Sequence, residues 1–250
     1  MNKKVPIIII CILLLIIVSL LFIFKDDLKD NEENTETYYL VIGDDTIWSY
    51  DGKWKAVGYE NVNNKKMNVY IDSNYVGLKT LKYGTKWNVF SGNNYEYYEG
   101  NMLAMSDNFG DILKFSITDI DDADLNKINN ILKLKLSLED ISIVEKVSID
   151  LNNDGKLDSI VNVSNLDSED EVSYFNLVYT VIDGDVNVLI NEVIDVKDYF
   201  NAPIYNVNYI LNIDKENYIV IKKGYFSDAG KTGNNLYEFI DGKYELAIED

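Results

Sequence analysis

No charge falls between Lys4 and Lys25, and Val5 to Phe24 form an unbroken apolar run. Twenty residues at about 1.5 Å each span roughly 30 Å, the hydrocarbon thickness of a bilayer. The run therefore predicts a transmembrane helix over residues 5–24. A secretory signal has a shorter apolar core, about 7–15 residues, followed by small residues at a cleavage site. Here the first alanine is Ala56, and Ser19 is the only small residue near the end of the run. Cys11 sits mid-run, so a lipoprotein signal does not fit either. Lys3 and Lys4 precede the run, and Asp26 and Asp27 follow it. The positive-inside rule then makes residues 1–4 a cytoplasmic stub and places residues 25–250 outside the cell membrane.

Composition narrows the chemistry. Cys11 is the only cysteine and lies inside the expected span, which leaves the outer part without a disulfide or a thiolate nucleophile. There is no His, Arg or Gln in the chain. A Ser-His-Asp triad in its usual form, a zinc site with a His ligand and bidentate Arg recognition of phosphate are all excluded. The wealth of Asn, Asp, Ile and Lys resembles the usage of a low-GC bacterial genome. All 42 acidic residues and all but two of the 23 basic ones follow the run, and the net charge is −19. Such a field repels nucleic acid and anionic polymers, and it favours divalent cations and cationic partners.

Residues 25–37, KDDLKDNEENTET, are almost free of apolar side chains and read as a charged stalk. Residues 38–118 form an aromatic-rich region of short strands split by turn residues. Asp51-Gly52 suits a type I′ hairpin, which would pair Tyr50 with Lys53 and Trp48 with Lys55. Strands are expected at Met67–Ile71, Tyr75–Tyr83, Lys86–Phe90, Tyr95–Glu99 and Met102–Met105. Residues 119–138 read as a helical connector. Asp119 to Asp124 supply N-terminal caps for a helix over roughly residues 122–133, and Leu134–Leu138 alternate like a strand. From 139 to 250 two four-stranded antiparallel units are expected, turned at Asp183-Gly184 and Asp241-Gly242. Ser148-Ile149-Asp150 with Ser159-Ile160-Val161 resembles Asn212-Ile213-Asp214 with Tyr218-Ile219-Val220, a weak internal repeat. The expected fold is mainly β, with the transmembrane helix followed by two antiparallel β subdomains separated by one short helix.

The sharpest motif is Asp150-Leu151-Asn152-Asn153-Asp154-Gly155-Lys156-Leu157-Asp158. Alternating Asp150, Asn152 and Asp154 can converge when the chain curls, and Gly155 permits the sharp turn. Lys156 can offer its carbonyl and Asp158 a further oxygen. This is the ligand pattern of a calcium loop, all hard oxygens. The twelfth position, a bidentate acid in an EF-hand, is Val161 here, and the flanks look like strands. The segment 139–250 resembles the strand-loop-strand blades of FG-GAP/integrin-like bacterial surface domains, whose Asp-x-Asp-x-Asp-Gly loops bind calcium. That resemblance implies Asp150, Asn152, Asp154, Lys156 through its backbone, and Asp158 as metal ligands, with weak affinity and a structural role. A plain polar turn is the competing reading.

The function expected from these features is a membrane-anchored extracytoplasmic interaction module without enzymatic activity. Its partners would be the lipid bilayer through residues 5–24 and a protein or glycan at the cell surface, with no nucleic acid. The alternative is an envelope carbohydrate-binding or carbohydrate-cleaving protein. Trp48, Trp54, Trp87 and Tyr95-Glu96-Tyr97-Tyr98 can stack on sugar rings, although such residues also pack well across sheets.

Overall fold

Alternating apolar residues and Gly, Asn and Asp turns carry the chain through eighteen strands in the computed structural model, which describes residues 36–165, 173–195, 202–225 and 232–250. The apolar run 5–24 and most of the stalk lie outside these residues. Among the described residues no helix is long and apolar enough to cross a membrane. Tyr38 opens a compact unit that runs to Asp250.

The first sheet is built from β1 (Tyr38–Ile42), β2 (Thr46–Tyr50), β3 (Trp54–Ala56), β4 (Lys66–Ile71), β5 (Asn74–Tyr83), β6 (Trp87–Ser91), β7 (Asn94–Glu96) and β8 (Met102–Met105). Their order is β3-β2-β1-β8-β4-β5-β6-β7. Then come β9 (Asp111–Leu113), β10 (Ser116–Thr118) and α1 (Asp122–Leu132), the one α-helix among the described residues. The second sheet joins β10 to β11 (Ile143–Ile149), β12 (Asp158–Ser164), β13 (Ser173–Ile182) and β14 (Asp185–Asp195). The third joins β9 to β15 (Pro203–Ile213), β16 (Glu216–Tyr225), β17 (Gly233–Ile240) and β18 (Lys243–Glu249). All pairings are antiparallel.

The sheets stack as layers. Leu40, Trp48, Leu103 and Met105 of the first sheet meet Leu211, Tyr218 and Val220 of the third. The opposite face of the third sheet, with Ile210, Ile219 and Ile221, packs on Val147, Ile160 and Val178 of the second. Helix α1 covers the outer face of the second sheet, laying Ile128 against Val161, Val163 and Leu177. The third sheet is thus buried on both faces, which is why β16 reads Ile219-Val220-Ile221 without alternation. In β15 the register shifts between Val207 and Tyr209, leaving Asn208 as the extra residue. That bulge reverses the phase of the strand. Tyr205, Val207 and Ile210 face one core, and Tyr209, Leu211 and Ile213 face the other. The first sheet also has a core on its other face, around Val41, Met67, Val69 and Leu81. Its curl brings the start of β6 to the β1–β2 turn, where Trp87 N donates to Asp44 Oδ1 at 3.4 Å.

The turns at Asp183-Gly184 and Asp241-Gly242 form with two-residue loops and positive φ at both positions, as expected. Helix α1 starts on an aspartate N-cap, as expected; the cap is Asp121, in a reciprocal capping box with Asp124. Three expectations are corrected. The Asp51-Gly52 hairpin pairs Tyr50 with Trp54 and Trp48 with Ala56, one residue away from the two-residue register. A slip of one residue moves a side chain to the other face. Here it brings Trp54 to the side of Trp48 and Tyr50, and Trp54 packs on Tyr50, Phe109 and Tyr218 with centroid distances of 5.1, 5.7 and 5.7 Å. Burial of that aromatic cluster outweighs the tight turn. Leu134–Leu138 is not a strand. Lys133 closes α1 in the left-handed conformation, and the Asn129 side chain bonds both N–H and C=O of Leu136, at 2.6 and 3.0 Å. Those backbone groups are therefore occupied before any sheet edge can use them. Finally, three sheets replace the two separate subdomains, because β9 and β10 cross from the N-terminal region into the two later sheets.

Candidate functional site

The 150–158 loop connects β11 to β12 and is flanked by strands, as the sequence pattern implies. Asp150 Oδ1 and Asn152 Oδ1 both accept the Asp154 N–H, each at 3.1 Å. Those two oxygens therefore share one side of the loop. Asp150 Oδ2 accepts Gly155 N at 2.8 Å, and Asp154 Oδ1 accepts Lys156 N at 2.8 Å. Gly155 has φ +87°, a conformation that glycine enters without a side-chain clash. The polar side chains thus fold the loop around its own N–H groups, as Asx turns do.

Asp158 faces the other way. It is 7% exposed, its Oδ2 accepts Leu151 N at 2.9 Å, and its Oδ1 accepts Asp183 N at 3.3 Å. It ties the loop to the β13–β14 turn. The Lys156 ammonium lies between two acids, 2.7 Å from Asp154 Oδ2 and 2.8 Å from Asp183 Oδ1. Those hydrogen bonds raise the Lys156 pKa, and the partnership with Lys156 lowers that of Asp154. All three groups have solvent access, so the pairing adds little stability.

A second turn reaches the same place. Asn217, 1% exposed, donates Nδ2 to Asp150 O at 3.0 Å, Leu151 O at 3.3 Å and Asn153 Oδ1 at 3.1 Å. Asn153 Nδ2 in turn donates to Lys215 O at 2.8 Å. The two turns related by the weak internal repeat are therefore packed together. The Tyr244 hydroxyl closes the floor by donating to Leu151 O at 3.1 Å. Burial first, then the charges of Asp158 and Asp150, raise the pKa of that hydroxyl. Asp183, Lys215, Asn217 and Tyr244 were not legible as loop partners. Only the repeat hinted that residues 214–217 and 150–158 correspond.

Among the described residues, no three His, Cys, Asp or Glu side chains gather in a group able to hold a metal ion. The structure brings Asp150 and Asn152 together, sets the Lys156 ammonium on Asp154, and commits Asp158 to backbone N–H groups. The acidic run before α1 is likewise structural. Asp124 is 3% exposed and pairs with Lys146 Nζ at 2.6 Å. Comparison with known proteins finds no match: no family model fits the chain, and no curated protein or solved structure is similar to it.

Proposed function

We propose that the chain is a single-pass, membrane-anchored extracytoplasmic interaction module that performs no chemistry of its own. The observation that carries this reading is the charge-free run from Val5 to Phe24 ahead of a β unit. The acidic clusters support it, because those of the loop and of the helix start hold backbone groups and lysines. Protease added to intact wall-free cells should digest the part after Lys25, and the protein should stay with membranes through a high-salt wash. Release of a mature fragment beginning near residue 25 sinks the anchor.

Calcium in the 150–158 loop, in the manner of an FG-GAP blade, is part of the same proposal. The fit is partial. Asp150 and Asn152 present oxygens on one side, and each such oxygen has a second lone pair beyond its N–H bond. Asp154 and the Lys156 carbonyl would complete the set once the Lys156 ammonium moves off Asp154. The ion would act as a structural clamp that joins the loop's oxygens. A ligand that binds only the folded state stabilises by about 1.4 kcal/mol at ten times its Kd. Calcium should therefore raise the melting temperature by roughly 3–6 °C, and magnesium by less because it needs a tighter octahedral shell. Asp150→Ala should abolish the shift, whereas Asp183→Ala should keep it. No shift in calcium at several times the extracellular level, or a wild-type response in Asp154→Ala, makes the loop a plain turn.

A further inference from the structure

The end of β1 opposite Tyr38 opens on a groove of about 350 Å³, at the low end of ordinary ligand sites. Its wall comes from distant parts of the chain. The β1–β2 turn brings Asp44, the start of β6 brings Trp87, and the segment after β7 brings Tyr97. The third sheet adds Asn208 and Asn234. Asn208 is the bulged residue of β15, and bulges recur where a strand re-aims a side chain beside a binding site.

Two polar atoms in this wall are unmet. Trp87 Nε1, a donor, and Asn234 Oδ1, an acceptor, are buried without a hydrogen-bond partner among the described residues. Their residues are 6% and 7% exposed. Asn234 is held in place by its other amide atom, Nδ2, which donates to Thr46 Oγ1 at 2.9 Å. Buried polar groups without partners are rare, and each asks for a reason. Both atoms are closed to solvent as the groove stands, so a ligand's hydroxyls meet instead the exposed carboxylates of Asp44 and Asp45 in the same lining.

The rim supplies the complementary feature. Tyr95 and Tyr97 are 52% and 64% exposed beside the polar wall, and the Tyr95 ring meets Phe90 edge-on at a centroid distance of 5.7 Å. A pyranose ring has an apolar C–H face that covers such a ring and an equator of hydroxyls that meets carboxylates and amides. Two carboxylates of the wall are fixed. Asp44 receives Trp87 N, and Glu96 receives the Tyr98 hydroxyl at 2.6 Å and Lys79 Nζ at 2.7 Å. These hydrogen bonds, that from Lys79 foremost, lower the Glu96 pKa. Asp44, Asp45 and Glu96 stand against Lys86 and Lys222 in the lining, within a chain of net charge −19. That balance disfavours an anionic ligand.

We propose that this groove binds a neutral oligosaccharide, seating one or two pyranose rings of it against Tyr95 and Tyr97. The inference rests on the interaction-module reading and names its ligand class. The test titrates the full chain in nanodiscs with tetramers of N-acetylglucosamine, β-linked glucose and α-linked glucose, by calorimetry. At least one should bind with a Kd near or below about 1 mM. Tyr97→Ala and Asp44→Ala should each weaken that binding about tenfold or more, and Tyr97→Phe should preserve it. Tyr59→Ala, an exposed tyrosine outside the groove that stacks on Tyr83, should leave binding unchanged. The proposal is overturned if none of the three sugars binds, or if binding survives both Tyr97→Ala and Asp44→Ala. Failure here with external topology intact removes only the groove, whereas sugar binding by a chain shown to be released from the membrane removes only the anchor.

Discussion

Asp158→Ala is expected to destabilise the protein by about 2–4 kcal/mol and to lower the melting temperature by roughly 5–12 °C. The substitution removes the acceptor of two N–H groups, those of Leu151 and Asp183. Leu151 is fully buried, so its N–H has no ready route to solvent. A buried donor left unpaired costs about 1–3 kcal/mol, and charge-assisted bonds sit at the upper end. The bond to Asp183 is longer, 3.3 Å, and contributes the smaller share. Asp158→Asn should fall between wild type and Ala, since it keeps one acceptor oxygen but turns an amide group toward the other N–H. Asp154→Ala in chelator should cost less than about 1 kcal/mol, because its carboxylate is solvent-accessible and its main partner is an exposed lysine. Denaturant unfolding of the full chain measures all three. If Asp158→Ala and Asp154→Ala lose equal stability, Asp158 is not the clamp between the two turns.

That ranking inverts what residue type and spacing alone suggest. In the sequence Asp150, Asn152, Asp154 and Asp158 form one set, because a calcium loop alternates its oxygens in this way. Folding divides the set, and what divides it is the arrival of two turns from elsewhere, Asp183-Gly184 and Asp214-Lys215. Contacts of this kind carry no local signal. Features set by near neighbours were legible: the aspartate cap of α1, the two-residue turns at Asp183 and Asp241, and the eight strands from β11 to β18. Features set by burial at a distance were not. The Asp51-Gly52 hairpin has a strong local preference, yet Trp54 decides its register by joining Tyr50, Phe109 and Tyr218. The departures of β9 and β10 to two different sheets left no trace in their short segments. Of the groove, only Trp87 and the Tyr95-Glu96-Tyr97-Tyr98 cluster stood out, because the rest is assembled from strand ends far apart in the chain.

Trp48→Ala should be among the most damaging single changes, at about 3–5 kcal/mol. Trp48 is fully buried at the junction of the first and third sheets, with Leu103, Met105, Leu211 and Val220 in the same core. Trp54 meets it edge-on at a centroid distance of 6.4 Å. Truncation removes the contacts and leaves a cavity that three packed strands cannot easily close. A drop of roughly 10 °C or more in the melting temperature follows for a chain of this size. Trp48→Phe should cost much less. It keeps an aromatic ring, and it also removes Nε1, a buried donor without a partner among the described residues. The loss of indole volume is therefore offset in part by the loss of an unmet polar group. This pair separates two roles for the tryptophans. If Trp48 stacked on sugar, Trp48→Ala would lose binding while keeping the melting temperature. If it holds two sheets together, Trp48→Ala loses stability first, and Tyr97→Ala, on the groove rim, shows the opposite behaviour: a melting curve within about 0.5 kcal/mol of wild type and lost binding. A Trp48→Ala protein that melts like wild type would mean that the first and third sheets are not joined through this residue.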